Sequence, residues 1–327
     1  MKPAFSVLFF TVLSGAGLGA LALLALFDLI AATGVVDALT PPRPIALAAT
    51  IAWLLVAGGL CASMLHLANP RNAWRAWSQW RTSWLSREAV VSLAFMPLAA
   101  LYVACWWWGA PPVLRAVSAF VVMLLAWGTL FCTAMIYASL KPIRQWHTRR
   151  VPVNFLLVGH ASGALVVTAV LRGHGVDAAP WGLLALVLFV AAAIGKLEYW
   201  RYLRSGEQAI TIEQAIGVAH GVRPPATPGA PASIMAARLF DAGHSRGTFL
   251  TREFVNQVAA ARRTSVLAIV WSCGFALPML WLAFGLARWQ GAALATLACM
   301  VGLLAERWLF FADARHTVRL YHGERST

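Results

Sequence analysis

The sequence predicts an all-α polytopic membrane protein with eight transmembrane helices, packed as two four-helix bundles. Three observations carry this. The 327-residue chain is 60% hydrophobic and only 12% charged, roughly half the charged share of an ordinary soluble domain. Its apolar residues fall in long runs, each near the ~20 residues that cross ~30 Å of hydrocarbon. Its lysines and arginines gather in alternate loops, as positive-inside topology requires. A soluble fold of this length still needs a charged surface, and this composition does not supply one.

The first run, about residues 5–29, is expected to be a retained helix. It is too long for a signal-peptide core, and only Lys2 precedes it. Its stripe Ser14-Gly-Ala-Gly-Leu-Gly19 suits close helix packing in lipid. It is not a nucleotide fingerprint, because no strand precedes it. Pro41, Pro42 and Pro44 end the first loop. The second helix is expected at about 45–66 and the third at about 89–108. The third closes on Trp106-Trp-Trp108, a candidate interfacial aromatic belt. Further spans are expected at about 117–140, 154–171, 181–200, 266–286 and 292–311, all in one membrane-anchor domain. The segment Lys196–Arg204 is long enough to snorkel its charges to the interface. Residues 205–265 form the one extended polar stretch. It contains the irregular Arg223-Pro-Pro-Ala-Thr-Pro-Gly-Ala-Pro231 and reads as an extramembrane loop.

Eight spans put both termini on one side, here called the basic face. The opposite face carries Arg43, Arg115, Arg172 and Arg288 with Asp28, Asp37 and Asp177; every other charge lies on the basic face. That face is expected to be cytoplasmic. The net charge of +14 then reflects topology and anionic lipid, not nucleic acid. Five separated cysteines, Cys61, Cys105, Cys132, Cys273 and Cys299, suggest neither a zinc nor a cluster site nor a disulfide framework. No metal site is expected.

The chemistry concentrates between the second and third spans, from Cys61 to Glu88. His66 precedes the helix-breaking Asn69-Pro70 pair, so it is placed near the basic face, where imidazole exchanges protons near neutral pH. A quinone needs such a partner, since its reduction moves two protons with two electrons. Arg71, Arg75, Arg81 and Arg87 are candidates to polarise a carbonyl, bind lipid phosphate or dock a partner, and Glu88 to relay protons. Trp74, Trp77, Trp80 and Trp84 recur at three- to four-residue spacing, which suggests an amphipathic interfacial helix. The same arginines and tryptophans also read as a plain interfacial anchor. His160 reads as a packing hydrogen bond or as a haem-ligand partner of His66. Glu306-Arg307 reads as a proton-path element or as a snorkelling arginine with its partner.

Several blocks in order resemble the dimethyl sulfoxide reductase anchor subunit family: Pro3-Ala-Phe-Ser-Val7, Ser14-Gly-Ala-Gly17, Ser63-Met-Leu-His-Leu67 with Pro70, Ala73-Trp-Arg-Ala76, Ser83-Trp-Leu-Ser-Arg-Glu88 and Met135-Ile-Tyr-Ala-Ser-Leu-Lys-Pro142. The resemblance implies a quinone-reactive anchor without haem. The quinone is ubiquinone or menaquinone. The partners implied are an iron–sulfur electron-transfer subunit and a molybdopterin catalytic subunit; their clusters and molybdenum cofactor lie on those chains. The family's quinol-site histidine falls on His66 and its following acid on Glu88. Asn72 stands where the family often has arginine, so Arg71 or Arg75 takes that place. Ser14 and Gly15 complete the implied quinone site. Arg81, Arg87, Lys141 and Arg144 are the partner-docking candidates, and Glu306 and Arg307 the proton path. A quinone stretch on the cytoplasmic face is similar to the membrane subunit of a cytoplasmically oriented sulfite dehydrogenase. The alternatives are a menaquinol-oxidising anchor of the dimethyl sulfoxide reductase type, a haem b anchor and a transporter.

Overall fold

The computed structural model describes residues 3–35, 41–65, 70–206, 209–211, 260–284, 289–322 and 327. Among them are eight helices long and apolar enough to cross a membrane. They are α1 (Phe5–Ala32), α2 (Pro42–Met64), α3 (Trp84–Trp107), α4 (Pro112–Ala138), α5 (Arg150–Gly173), α6 (Ala179–Ser205), α7 (Arg262–Phe284) and α8 (Trp289–Ala312). Most of the extramembrane loop expected at 205–265 lies outside the described residues.

Local chemistry sets the helix starts. Pro42 and Pro112 occupy first-turn positions of α2 and α4, where a missing N–H costs nothing. Ser83 caps α3, its side chain accepting from the Ser86 amide at 3.4 Å. This start is earlier than the expected 89, so Glu88 stands inside the helix. Gly206, at φ 74°, closes α6.

The fold is built around α1, which packs against α2, α4, α5 and α8. Its small residues allow this. A Cβ on Gly17 would meet Ala52 and Val56 of α2, and one on Gly19 would meet the Gly159 backbone of α5. Gly163 of α5 fits equally tightly against Gly19 and Ala20. In lipid, where apolar burial drives little helix association, such backbone proximity supplies the packing energy. Gly274 and Gly302 repeat the device between α7 and α8, where α7 carries a π-helical turn at Val270–Ala276. Leu93, Phe120, Val187, Ile194 and Leu294 point outward, as a lipid-facing surface requires.

Two ties close the ends. On the opposite face, Arg115 Nε donates to Asp28 Oδ1 at 3.1 Å, and its guanidinium lies 4.5 Å from the Trp106 ring centre. Trp106 is therefore buried, and only Trp107 and Trp108 of the expected aromatic belt are exposed. On the basic face, the α4–α5 connection turns inward. Trp146 Nε1 donates to the Phe310 carbonyl at 3.0 Å, and Trp146 joins Tyr137, Phe155, Phe310 and Phe311 in one aromatic cluster. The Thr317 amide donates to Pro142 O at 3.0 Å, which fastens the segment after α8 to the same connection.

Candidate functional site: a buried carboxyl beside an arginine-lined crevice

Glu88 is 6% exposed on α3. The hydroxyl of Thr133, on α4, donates to its Oε1. That hydroxyl also lies 3.0 Å from the Thr129 carbonyl. A hydroxyl carries one hydrogen and two lone pairs, so the pair suits both states of the acid. Ionised Glu88 accepts from Thr133. Protonated Glu88 donates to Thr133, which then donates to Thr129 O. No ion pair holds Glu88 among the described residues. The neighbouring Arg87 is engaged elsewhere: it donates to the carbonyls of Trp80 (3.0 Å) and Arg81 (2.7 Å), with its guanidinium 4.2 Å from the Trp84 ring centre.

Leu130, Thr133 and Tyr137 share one face of α4, at helical spacing. Leu130 lines a crevice completed by Thr11 and Gly15 of α1, Val158 and Ser162 of α5, and Arg307 of α8. Tyr137 lies within electrostatic reach of both Glu88 and Arg307. Nothing lies within 4 Å of where a Gly15 Cβ would stand, so the glycine leaves the crevice open on that side. Apart from the hydroxyls of Thr11 and Ser162, which donate to carbonyls of their own helices, the walls are apolar with one cation.

Arg307 is held from two directions. Its Nε lies 2.8 Å from Glu306 Oε2, and its guanidinium carbon stands 3.9 Å from the Phe155 ring centre. The other oxygen of Glu306 accepts from Lys196 Nζ of α6. Lys196, Glu306 and Arg307 are 1%, 2% and 3% exposed.

A family model, DMSO reductase anchor subunit (DmsC), matches residues 1–312. The chain belongs to this family. Its relatives include the C subunit of sulfite dehydrogenase from Allochromatium vinosum, 34% identical over 98% of this chain and 99% of that one. The C component of the anaerobic dimethyl sulfoxide reductase of Escherichia coli is 28% identical over 43% of this chain and 50% of its own length. The YnfH component of an anaerobic dimethyl sulfoxide reductase from the same organism is 25% identical over the same shares. No solved structure matches the chain. A DmsC-family chain with eight apolar helices is a multi-pass membrane anchor subunit of a molybdopterin oxidoreductase.

The structure sorts the residues that sequence singled out. His66 lies outside the described residues. Gly15, Glu306 and Arg307 are buried around the crevice. Ser14 is turned away from it: its hydroxyl donates to Phe10 O at 2.6 Å, and it abuts Gly59 of α2. Arg71, Arg75 and Arg81 are exposed, as are Lys141 and Arg144. The helix expected in this stretch is a 3₁₀ helix, Pro70–Gln79. Three residues per turn align Trp74 and Trp77 on one exposed face, and Trp80, just past the helix end, is exposed as well. His160 uses both ring nitrogens in packing: Nε2 receives the Trp127 indole N–H at 2.9 Å, and Nδ1 lies 2.7 Å from Leu156 O. Both contacts are those of the hydrogen-bond reading.

Lys196 departs most from expectation. It does not snorkel, because the Glu306 carboxylate one helix away draws it inward. Sequence reasoning also missed Thr133 and Tyr137. The signal for Lys196 was a single lysine inside Ala191-Ala-Ala-Ile-Gly-Lys-Leu197, nine residues before the helix end at Ser205.

Proposed function

We propose that this chain is the quinone-reactive membrane anchor of a complex that oxidises sulfite to sulfate, passing electrons from an iron–sulfur subunit to the quinone pool. The observation that carries the reading is the carboxyl of Glu88. It is buried near the basic end of the bundle, has a proton-tolerant partner in Thr133, and is paired with no cation among the described residues. An ionisable side chain kept inside a membrane without a counter-charge is retained for function.

A quinone supplies two-electron, two-proton chemistry when bound. The residues of this chain do the rest. Arg307 offers N–H donors to a carbonyl oxygen at the crevice, whose free space of about 10 Å³ a quinone ring has to widen on entry. Glu88 exchanges a proton through Thr133. His66, and Arg71 or Arg75, are assigned to the mouth of the site on the basic face. The exposed Arg71, Arg75, Arg81, Lys141 and Arg144 form a cationic surface for the iron–sulfur subunit, with the molybdopterin subunit beyond it. Sulfite as the complex's substrate is supported by the full-length likeness to a sulfite dehydrogenase component. The charge distribution supports a bacterial inner membrane location with the basic face and both termini in the cytoplasm.

A photoreactive quinone tests the site. Crosslinks are expected in the peptides carrying Glu88 and Leu130–Tyr137, competed by native quinone. Labelling confined to the lipid-facing surface of α6 or α8 contradicts the assignment. A reporter fused after Thr327 should be active only in the cytoplasm.

A further inference from the structure

Three charged side chains meet where α5, α6 and α8 pack, and their charges do not sum to zero. Arginine stays protonated in proteins, so Glu306 and Arg307 cancel in charge, with Glu306 Oε2 in ionic contact at 2.8 Å but accepting no hydrogen bond. A protonated Lys196 adds one positive charge to a cluster that is at most 3% exposed. No second carboxylate answers it among the described residues: Asp313, just past α8, is 3.0 Å from Arg263. An uncompensated charge at such depth is strongly disfavoured. An amine that gives up its proton removes that cost. The surroundings also serve the charged form. Asn154 Oδ1 is buried with no hydrogen-bond partner, and it lines the same small void as Lys196, Tyr199 and Arg307. It is an acceptor in place for a second ammonium N–H.

We propose that the Lys196–Glu306 contact is a proton-exchange site, which takes up one proton when negative charge arrives nearby and releases it when that charge leaves. On uptake an N–H bond forms at Nζ; on release it breaks, and no electron moves. The groups that face the contact are Tyr199 on α6, Glu306 and Arg307 on α8, Asn154 on α5, and beyond them Asp313 with Arg263 and Tyr202 with Arg150. Tyr199 donates to the Gln145 carbonyl at 3.2 Å, which connects the site to the basic face. Its use in the reaction rests on the proposed function: electrons reaching the crevice bring negative charge to the Arg307 side, and proton uptake at Lys196 offsets it.

The chain's three lysines are Lys2, Lys141 and Lys196, so ¹⁵N-lysine labelling of the full-length protein in lipid gives a readable nitrogen spectrum. The Lys196 Nζ resonance is assigned by its absence in Lys196→Met, or in Lys196→Arg where the methionine variant does not accumulate. The expected result is one resonance that moves between the amine and ammonium positions over a pH range in which the other two stay at the ammonium position. A Lys196 resonance that remains at the ammonium position until the other lysines titrate overturns the proposal. Failure of the quinone reading would show elsewhere, as unchanged quinone turnover in Glu88→Gln, and would leave this nitrogen titration in place.

Discussion

Arg115 and Asp28, 87 positions apart, meet at 3.1 Å at the end of the bundle opposite the candidate site. The pair is asymmetric: Asp28 is 3% exposed, whereas the Arg115 side chain is 25% exposed. Removing the arginine strands a buried carboxylate; removing the acid leaves a cation that reaches water and the Trp106 ring. Arg115→Ala is therefore expected to cost about 3 kcal/mol and Asp28→Ala about 1 kcal/mol. Thermal unfolding in detergent should rank them in that order, and the reverse order refutes the reasoning.

The crossing of α1 and α5 depends on Gly19 lying against the Gly159 backbone. Gly19→Leu forces the helices apart and is expected to destabilise the fold by about 1–3 kcal/mol. The same change at Gly15, where the Cβ direction is open, should leave the melting temperature near wild type while blocking the crevice. Equal losses at both positions contradict the packing described for α1.

Docking is assigned to exposed cations of the basic face. Charge reversal at Arg81, Lys141 and Arg144 together should weaken retention of the partner subunits by about tenfold or more at low salt, with a smaller difference from wild type at higher salt. Arg87 behaves differently, because it braces the turn before α3 through the Trp80 and Arg81 carbonyls. Arg87→Ala should lower thermal stability even when this chain is purified without its partners. Pull-down and melting measurements separate the two effects.

The segment after α8 carries a pH dependence. Burial lowers His316 below its usual 6.5, and its Nδ1 accepts from the Val318 amide at 3.0 Å. A neutral imidazole is favoured in the folded segment, so the unfolded segment binds more protons. Stability is then fully present above pH 6.5 and falls as pH drops through the lowered folded value. Protection of the Thr317 and Val318 amides, taken relative to the intrinsic exchange rate at each pH, should fall on acidification, and His316→Asn should remove that fall.

The membrane fold was legible in the sequence because hydrocarbon leaves few ways to satisfy a backbone. Apolar runs of the right length, proline at helix starts and small residues along α1 each have one economical reading. The site was half legible. Glu88 stood out at the edge of an apolar run and Glu306-Arg307 near the end of one. Their partners did not, because Thr133 and Tyr137 are ordinary helix residues until α4 is laid beside α3. Lys196 was misjudged for a related reason. A lysine that far from a helix end snorkels or turns inward according to what the facing helix offers, and that acid is 110 positions away. The tryptophan stretch was legible as a helix but its period was not, since spacings of three and four do not distinguish 3₁₀ from α over so short a segment.

The central claim, that Glu88 exchanges protons with a quinone, is tested most directly by Glu88→Gln in the intact complex. The amide keeps the Thr133 hydrogen bond but cannot exchange a proton. Sulfite-driven quinone reduction should fall by about 10²-fold or more, while sulfite oxidation with an artificial dye stays at the wild-type rate. Quinone reduction at the wild-type rate in this variant would contradict the account.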